Sequence, residues 1–187
     1  WAEEFGVEYI DRNKSSELLA SNINFFNNAL SKTKKINSCI EFGANIGMNL
    51  KAIKLLFPNI NLYAIEINPV ATKALARFIG EKYVFNGSIL DWDVNKKYDL
   101  SLIKGVLIHI NPKELKNVYK KLYQASNKYI LIGEYYNPSP VNIDYRGHKN
   151  RLFKRDFAGE MLDLFSDLKL VDYGFSYHLD NNFPQDD

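Results

Sequence analysis

From residue 38 onward, the chain alternates short and nearly continuous apolar runs with longer stretches that repeat apolar residues at helical spacing. Strands covered by helices on both faces have this continuous apolar character, and repeated strand–helix–strand units build parallel sheets. The predicted strands are Ser38–Phe42, Asn61–Ile65, Tyr83–Phe85, Tyr98–Ile103 and Lys128–Gly133. The pattern therefore predicts an α/β fold with a doubly wound, mostly parallel sheet.

Helical spacing of apolar residues predicts the elements that cover this sheet. The predicted helices are Glu17–Leu30, Met48–Phe57, Lys113–Ala125 and Arg155–Phe165, with a further helix that opens at Pro69. Residues 135–150 are rich in Pro, Asn, Tyr and charged residues without a sustained period, which predicts a long loop. A last strand is predicted at Lys169–Tyr177, on an edge of the sheet.

Composition excludes several classes of function. The chain has 187 residues, one cysteine (Cys39) and a formal net charge of +2. A single cysteine provides neither a disulfide framework nor a multi-cysteine zinc site, and we predict no metal. The near-neutral charge gives no general attraction to nucleic acid or to an anionic membrane, so neither is expected as a partner.

A glycine turn joins the first predicted strand to the helix that follows, which is where doubly wound sheets bind ligands. Gly43 permits a tight turn with positive φ, and Gly47 lets the helix start pack closely on the strand and on a ligand. Glu66 ends the second strand, where an acid can accept hydrogen bonds from the ribose hydroxyls of a nucleoside cofactor. The alternative interpretation is a glycine turn that binds nothing.

The residues of this turn distinguish between two candidate cofactors, NAD and S-adenosylmethionine. A dinucleotide site needs a middle glycine so that the backbone can approach the pyrophosphate, but Asn45 stands there. Glu41, directly before the turn, would repel a diphosphate and attract a cation. S-adenosylmethionine has no phosphate and carries a sulfonium and an ammonium group, so we favour it over NAD.

The same segments resemble the motifs of class I S-adenosylmethionine-dependent methyltransferases. The first motif is similar to Glu41–Gly47, the second to Glu66, the third to Gly87–Asp91 and the fourth to Tyr98–Ile110. The resemblance implies that Glu41, Gly43 and Gly47 surround the methionine moiety, Glu66 takes the ribose, Ser88 and Ile89 flank adenine, and Lys104 and Gly105 lie near the sulfonium, with Asn45 and Ile67 in the same cofactor site. Asn45 departs from the usual glycine, and Ser88 from the usual acid, for which Asp91 is a possible substitute.

A narrower resemblance covers both ends of the chain. The segments 4–13, 134–138, 145–148, 151–160, 172–175 and 183–187 are similar to methyltransferases associated with pseudaminic acid biosynthesis. This resemblance implies an acceptor that is a nonulosonic acid sugar or its nucleotide-linked form. Because class I members usually end with an antiparallel seventh strand, we also expect the natural chain to continue beyond residue 187.

The acceptor is expected to meet residues that follow the fourth and fifth strands. His109 and Glu134 are candidate general bases, although an amine acceptor needs none. The candidates that complete the catalytic and acceptor contacts are Tyr136, Tyr135 and Asn137. The basic run after them offers Tyr145, Arg146, His148 and Arg151 for a carboxylate or phosphate, since arginine binds such groups through paired hydrogen bonds. From the N-terminal arm, Tyr9 and Arg12 are candidates for folding over the cofactor.

We expect a single domain over residues 1–187. It divides into an arm and helix (1–35), a cofactor-binding core (36–135), and a substrate loop, helix and last strand (136–187). The apolar runs fall short of the roughly 20 residues that span a bilayer, and no secretory signal is visible, so a cytoplasmic location is expected. Two alternatives stay open beside the methyltransferase: a nicotinamide-dependent sugar oxidoreductase and a non-catalytic module that binds S-adenosylmethionine.

Overall fold

The protein is built around a five-stranded sheet in which all paired strands are parallel. The structure is a computed structural model that describes residues 15–145 and 148–185. The strands are β1 (Ser38–Phe42), β2 (Asn61–Glu66), β3 (Val84–Asn86), β4 (Tyr98–Lys104) and β5 (Ser126–Gly133). Their order is β3-β2-β1-β4-β5, so the connections run outward in opposite directions from β1 and β4. The predicted fold class is confirmed, and the point of reversal lies where β1 and β4 end.

Five helices belong to the described part of the chain. They are α1 (Ser16–Ala29), α2 (Met48–Leu56), α3 (Pro69–Ile79), α4 (Leu115–Ala125) and α5 (Phe157–Leu164), with 3-10 turns at Glu81–Tyr83 and Leu107–His109. Local sequence sets several starts. The side chain of Ser15 accepts a hydrogen bond from the backbone of Leu18, that of Asn68 from the backbone of Val70, and Asp156 caps α5 in the same way.

The sheet is covered on both faces by apolar side chains, as its continuous apolar strands predict. Along β4, Leu100 and Leu102 face the layer that includes α1 and α2, whereas Ile103 faces the layer of α4 and α5. Phe26 of α1 and Val118 of α4 are fully buried on these opposite faces. The core therefore fixes the sheet from both sides, and the polar ends of the strands are left to form a site.

The prediction of a loop over residues 135–150 is wrong for its second half. Val141–Tyr145 (β6) and His148–Lys154 (β7) form an antiparallel pair in which Ile143 lies opposite Leu152. Leu152 is 4% exposed and belongs to the core cluster, and β7 packs against the turn Leu107–His109. The hairpin is stabilised by this burial, which its polar composition concealed.

The prediction of a strand at Lys169–Tyr177 is also wrong, because the structure forms no strand over these residues. Tyr173 and Phe175 are 87% and 79% exposed, and Asp172 forms an ion pair with Lys32 of the segment after α1. A strand requires a neighbouring backbone to pair with, and this segment is instead attached through a side chain.

A buried hydrogen bond also links the N-terminal and C-terminal parts of the described chain. Nε2 of Gln185 donates to Oδ1 of Asn22 in α1 over 3.1 Å. Within residues 15–145 and 148–185, no helix is long and apolar enough to cross a bilayer.

Candidate functional site at the carboxyl ends of the strands

The turn between β1 and α2 adopts the backbone conformation that its glycines suggest. Gly43, Asn45 and Gly47 have φ angles of 79°, 48° and 80°. The backbone N–H of Gly43 donates to the carbonyl of Ile65 at the end of β2 over 2.9 Å. A Cβ on Gly43 would lie 2.7 Å from a methyl group of Val106, so β1, β2 and the segment after β4 meet at this turn.

Glu41 places a carboxyl group in the protein interior beside the turn. The residue is fully buried, and its Oε1 accepts a hydrogen bond from Nδ2 of Asn49 over 2.6 Å. Its Oε2 has no hydrogen-bond partner in the described part of the chain. Burial raises the pKa of Glu41 to about 8, against the lowering effects of Asn49 and of the positive charge of Lys104.

Glu66 closes the other side of the turn. Its Oε2 accepts from the backbone N–H of Asn45 over 2.7 Å, and its Oε1 accepts from that of Asn68 over 2.7 Å. Burial raises its pKa, and these backbone hydrogen bonds oppose the shift. The carboxyl group thus faces the turn rather than the sheet interior, with the two oxygens held by two different loops.

A third loop follows β3 and carries Ser88 and Ile89. The hydroxyl of Ser88 accepts from the backbone N–H of Leu90 over 3.1 Å, which makes a local turn. Lys121 of α4 holds this loop by donating to the carbonyl oxygens of Leu90, at 2.9 Å, and of Trp92. Sequence reasoning missed Lys121, because a lysine on an amphipathic helix ordinarily indicates a solvent-facing position.

Glu134, at the end of β5, is hydrogen-bonded to the segment after β4. Its Oε1 accepts from the backbone N–H groups of Val106 and Leu107 over 2.9 and 2.8 Å, and its Oε2 lies 3.5 Å from the nitrogen of Ile108. Burial of the carboxyl group raises the pKa of Glu134 to about 7, against the lowering effect of these hydrogen bonds. Its side chain thereby fixes the turn that carries His109.

Aromatic residues follow Glu134 along the chain. Tyr136 is 66% exposed, and the ammonium group of Lys154 lies 4.7 Å from the centre of the Tyr135 ring. The side-chain amide of Asn137 donates to the carbonyl of Ser139 within its own loop. The two tyrosines therefore form an accessible polar and aromatic rim, while Asn137 makes a local turn contact.

One cavity of about 1740 Å³ joins these loops to the hairpin and to α5. The predicted site residues that line it are Gly43, Asn45, Glu66, Ile67, Ser88, Ile89, Lys104, Gly105, His109, Glu134, Tyr135 and Tyr136. Glu41, Gly47 and Asn137 do not line it, although Asn49, the partner of Glu41, does. Ligand pockets commonly measure about 300–1,000 Å³, so this cavity has room for more than one small molecule.

The remaining candidates fall in the hairpin or in the arm. Tyr9, Arg12 and Arg146 lie outside the described residues. Tyr145, His148 and Arg151 belong to the strands β6 and β7 of the hairpin. The backbone of that hairpin is therefore brought next to the segment that carries His109.

Comparison with known proteins gives a fold relationship. No family model and no curated protein matches the sequence. Among solved structures, the sugar N-methyltransferase KedS8 of a Streptoalloteichus species matches with a TM-score of 0.58 at 15% identity, over 79% of this chain and 63% of that one. A Leishmania major S-adenosylmethionine-dependent methyltransferase matches with a TM-score of 0.62 at 17% identity, over 78% and 61%.

A third structure was solved with ligands. The 1,6-didemethyltoxoflavin N1-methyltransferase of Burkholderia thailandensis, with bound 1,6-didemethyltoxoflavin and S-adenosylhomocysteine, matches with a TM-score of 0.62 at 13% identity, over 81% of this chain and 68% of that one. This chain spans less than two thirds of KedS8 and of the Leishmania protein. At these identities, the likeness shows a shared fold.

Proposed function

We propose that this chain is an S-adenosylmethionine-dependent methyltransferase that acts on an oxygen or nitrogen of a small anionic acceptor. One observation carries the proposal. Two buried carboxyl groups, those of Glu41 and Glu66, flank a positive-φ turn at the point where the sheet order reverses. Such a turn is unfavourable for a diphosphate and favourable for a positively charged nucleoside.

Each loop has a role in this proposal. Glu66 lines the cavity with both oxygens already oriented by backbone N–H groups, so it is placed to accept from a ribose diol. Glu41 lies behind the cavity wall and is proposed to act through Asn49, and through its charge once a bound cation stabilises its ionised form, rather than by direct contact. The cofactor, when bound, supplies the activated methyl group. Ser88 and Ile89 are proposed to border its adenine, and Lys104 and Gly105 its reactive end.

Methyl transfer requires alignment more than side-chain chemistry, since the acceptor displaces the methyl group in line. Tyr135 and Tyr136 are proposed to border the acceptor and to exclude water. His109 lines the same cavity and is the proposed proton acceptor for a hydroxyl substrate. Glu134 is the second candidate proton acceptor. Its three backbone contacts also hold the turn that carries His109.

The acceptor proposed from the resemblance is a nonulosonic acid sugar or its nucleotide-linked form. A large cavity with cationic side chains at its hairpin end, among them Lys154, supports a substrate that bears a carboxylate or phosphate. The protein KedS8, which shares the fold, is described as a sugar N-methyltransferase.

Ligand-dependent thermal stability tests the cofactor. S-adenosylhomocysteine should raise the melting temperature of the protein and NAD should not, because a ligand stabilises only the state that it binds. Glu66→Ala should weaken S-adenosylhomocysteine binding by about 10- to 100-fold, as expected for losing a charged hydrogen-bond acceptor of about 1.5–3 kcal/mol. The exposed Glu81→Ala is the matched control and should bind as the unaltered protein does.

The two alternative functions predict different results in these experiments. Stabilisation by NAD instead would identify a nicotinamide-dependent oxidoreductase and overturn the proposal. Formation of S-adenosylhomocysteine that depends on added acceptor would exclude a module that only binds the cofactor. Mass spectrometry of sugar-nucleotide pools, with and without the protein, should detect a product heavier by one methylene group.

A further inference from the structure

Arg155 is placed at the junction between β7 and α5 by a network that reaches into the core. Its Nε lies 2.6 Å from Oε1 of Glu160, and its side chain is 18% exposed. The other carboxylate oxygen of Glu160 accepts a hydrogen bond from the hydroxyl of Tyr119 over 2.7 Å. Tyr119 is 2% exposed and packs within the core cluster. The guanidinium orientation is therefore fixed by packing and not only by a surface ion pair.

The phenol of Tyr119 keeps its proton in this network. Burial and the hydrogen bond to Glu160 raise the pKa of Tyr119 far above its ordinary range, so the phenol stays a donor. Glu160 consequently has one oxygen committed to Tyr119 and the other to Arg155. An arginine held in this way loses little conformational freedom when it binds a ligand.

The orientation leaves the two terminal nitrogens of Arg155 available. Across residues 15–145 and 148–185, the ion pair with Glu160 is made through Nε, which is buried and forms no hydrogen bond, and neither terminal nitrogen takes part in it. Arg155 lines the large cavity. Two parallel N–H donors of a guanidinium match the two oxygens of a carboxylate or phosphate, and that geometry is the basis of bidentate recognition.

The local charge leaves room for an anion despite the contact with Glu160. Lys154 lines the same cavity and lies over the ring of Tyr135. The nearby carboxylate of Asp156 is engaged with the backbone N–H of Gly159 at the start of α5. The formal charges of these residues sum to zero: Lys154 and Arg155 against Asp156 and Glu160. Asp156 is engaged within α5, and Glu160 is engaged by Arg155 and by Tyr119 of α4.

We propose that Arg155 is the residue that recognises the oxyanion of the acceptor, by paired hydrogen bonds from its terminal nitrogens to a carboxylate or phosphate. This inference rests on the proposed methyltransferase function and adds the chemical class of its substrate. Arg155 differs from the sequence candidates for this role, which precede it in the hairpin. The Tyr119–Glu160 pair positions the guanidinium but does not touch the substrate.

Calorimetric titration of the full chain, saturated with S-adenosylhomocysteine, tests the proposal. N-acetylneuraminate is the carboxylate probe, N-acetylglucosamine 1-phosphate is the phosphate probe, and N-acetylmannosamine is the neutral reference. At least one anionic probe should bind at least tenfold more tightly than the neutral sugar. Arg155→Gln should weaken that probe by tenfold or more, and Arg155→Lys should lie between, because it keeps the charge without the paired donors.

Two measurements separate the possible failures. Lys116→Gln, which removes an exposed charge on α4, should leave anion binding unchanged. Arg155→Gln should bind S-adenosylhomocysteine as the unaltered protein does, which also shows that it folds. Equal anion titrations for the unaltered protein and Arg155→Gln, or no preference for either anionic probe, overturn the inference. Failure of the unaltered protein to bind S-adenosylhomocysteine instead overturns the proposed function.

Discussion

Single residues at the β1–α2 turn combine a left-handed backbone with a buried carboxyl group. Gly43 and Gly47 both have φ near 80°, a region that side chains with a Cβ rarely adopt. Beside them, Glu41 retains a carboxylate oxygen without a hydrogen-bond partner in the described residues. A buried polar atom without a partner is costly, and such costs concentrate at functional sites.

Gly43→Ala tests whether the turn requires glycine at this position. The substitution forces a left-handed alanine, which costs about 1–2 kcal/mol, and it places a Cβ 2.7 Å from a methyl group of Val106. Urea denaturation should therefore show a free energy of unfolding lower by about 2 kcal/mol or more. Gly174→Ala is the control, because nothing lies within 4 Å of its added Cβ. Equal midpoints for Gly43→Ala and the unaltered protein would contradict this account.

At the scale of elements, α4 holds a loop that it does not adjoin in sequence. Lys121 spans from α4 to the carbonyl oxygens of Leu90 and Trp92, and Trp92 packs edge-on against Phe42 of β1. The loop of Ser88 and Ile89 is thus held by the ammonium group of Lys121 and by the packing of Trp92 on Phe42. A loop held in one conformation binds a ligand with less loss of entropy.

Lys121→Met tests how much the hydrogen bonds from Lys121 to this loop contribute to cofactor binding. The thioether chain keeps most of the packing and removes the donors to the two carbonyls, so the loop gains freedom while the core is retained. We expect S-adenosylhomocysteine to bind about 3- to 10-fold more weakly, equivalent to roughly 0.7–1.4 kcal/mol for a lost hydrogen-bonding group. Lys120→Met, at the neighbouring exposed position, should have no effect on the dissociation constant. An unchanged constant for Lys121→Met would show that the loop is held without it.

The central strands could be predicted from sequence because their signal is local. An apolar run that must be buried on both faces begins and ends at the same residues in the sequence and in the sheet, as Ser38–Phe42 does. Glu41, Gly43 and Glu66 could be assigned to strand ends for the same reason. Contacts between distant segments carry no such signal. The hydrogen bond from Lys121 to Leu90 therefore appears only in the structure. The same holds for the hydrogen bonds that Glu134 accepts from the backbone after β4.

The two incorrect elements fail for opposite reasons. In the hairpin, Val141 and Ile143 alternate with polar residues, but they stand inside a polar stretch that predicts a loop. The apolar residues Leu170, Tyr173 and Phe175 predict a strand, but the segment has no pairing partner in the described chain. Periodicity states which side chains share a face and leaves open whether a neighbouring strand exists.

At the scale of the whole molecule, three buried carboxyl groups at one edge of the sheet shape the response to pH. Burial raises the pKa of Glu41 to about 8 and that of Glu134 to about 7, and it also raises the pKa of Glu66. Between their unfolded values near 4.5 and these folded values, the native state holds protons that the unfolded state has released. Raising the pH through this window therefore favours unfolding.

The free energy of unfolding should consequently fall between about pH 5 and pH 8, with a slope of up to about 1.4 kcal/mol per pH unit for each group that is protonated in the native state. Glu41→Gln removes the group with the highest of the two stated pKa values. Its slope should be shallower, and its stability relative to the unaltered protein should rise with pH. The amide of Asn49 can rotate to accept from the new side chain, which limits the packing cost. Glu81→Gln, on the surface, should retain the full slope.

Binding should show the reverse dependence, because a cation stabilises the ionised form of Glu41. The affinity for S-adenosylmethionine, measured by calorimetry, should increase as the pH rises toward 8, and Glu41→Gln should remove most of that increase. Lys104 and Glu66 also act on this carboxyl group, the first lowering and the second raising its pKa. Comparison of the variant with the unaltered protein at each pH isolates Glu41 from those neighbours and from the histidines. An affinity that is independent of pH in both proteins would mean that the charge of Glu41 does not reach the ligand, and the electrostatic basis of the proposed cofactor preference would be lost.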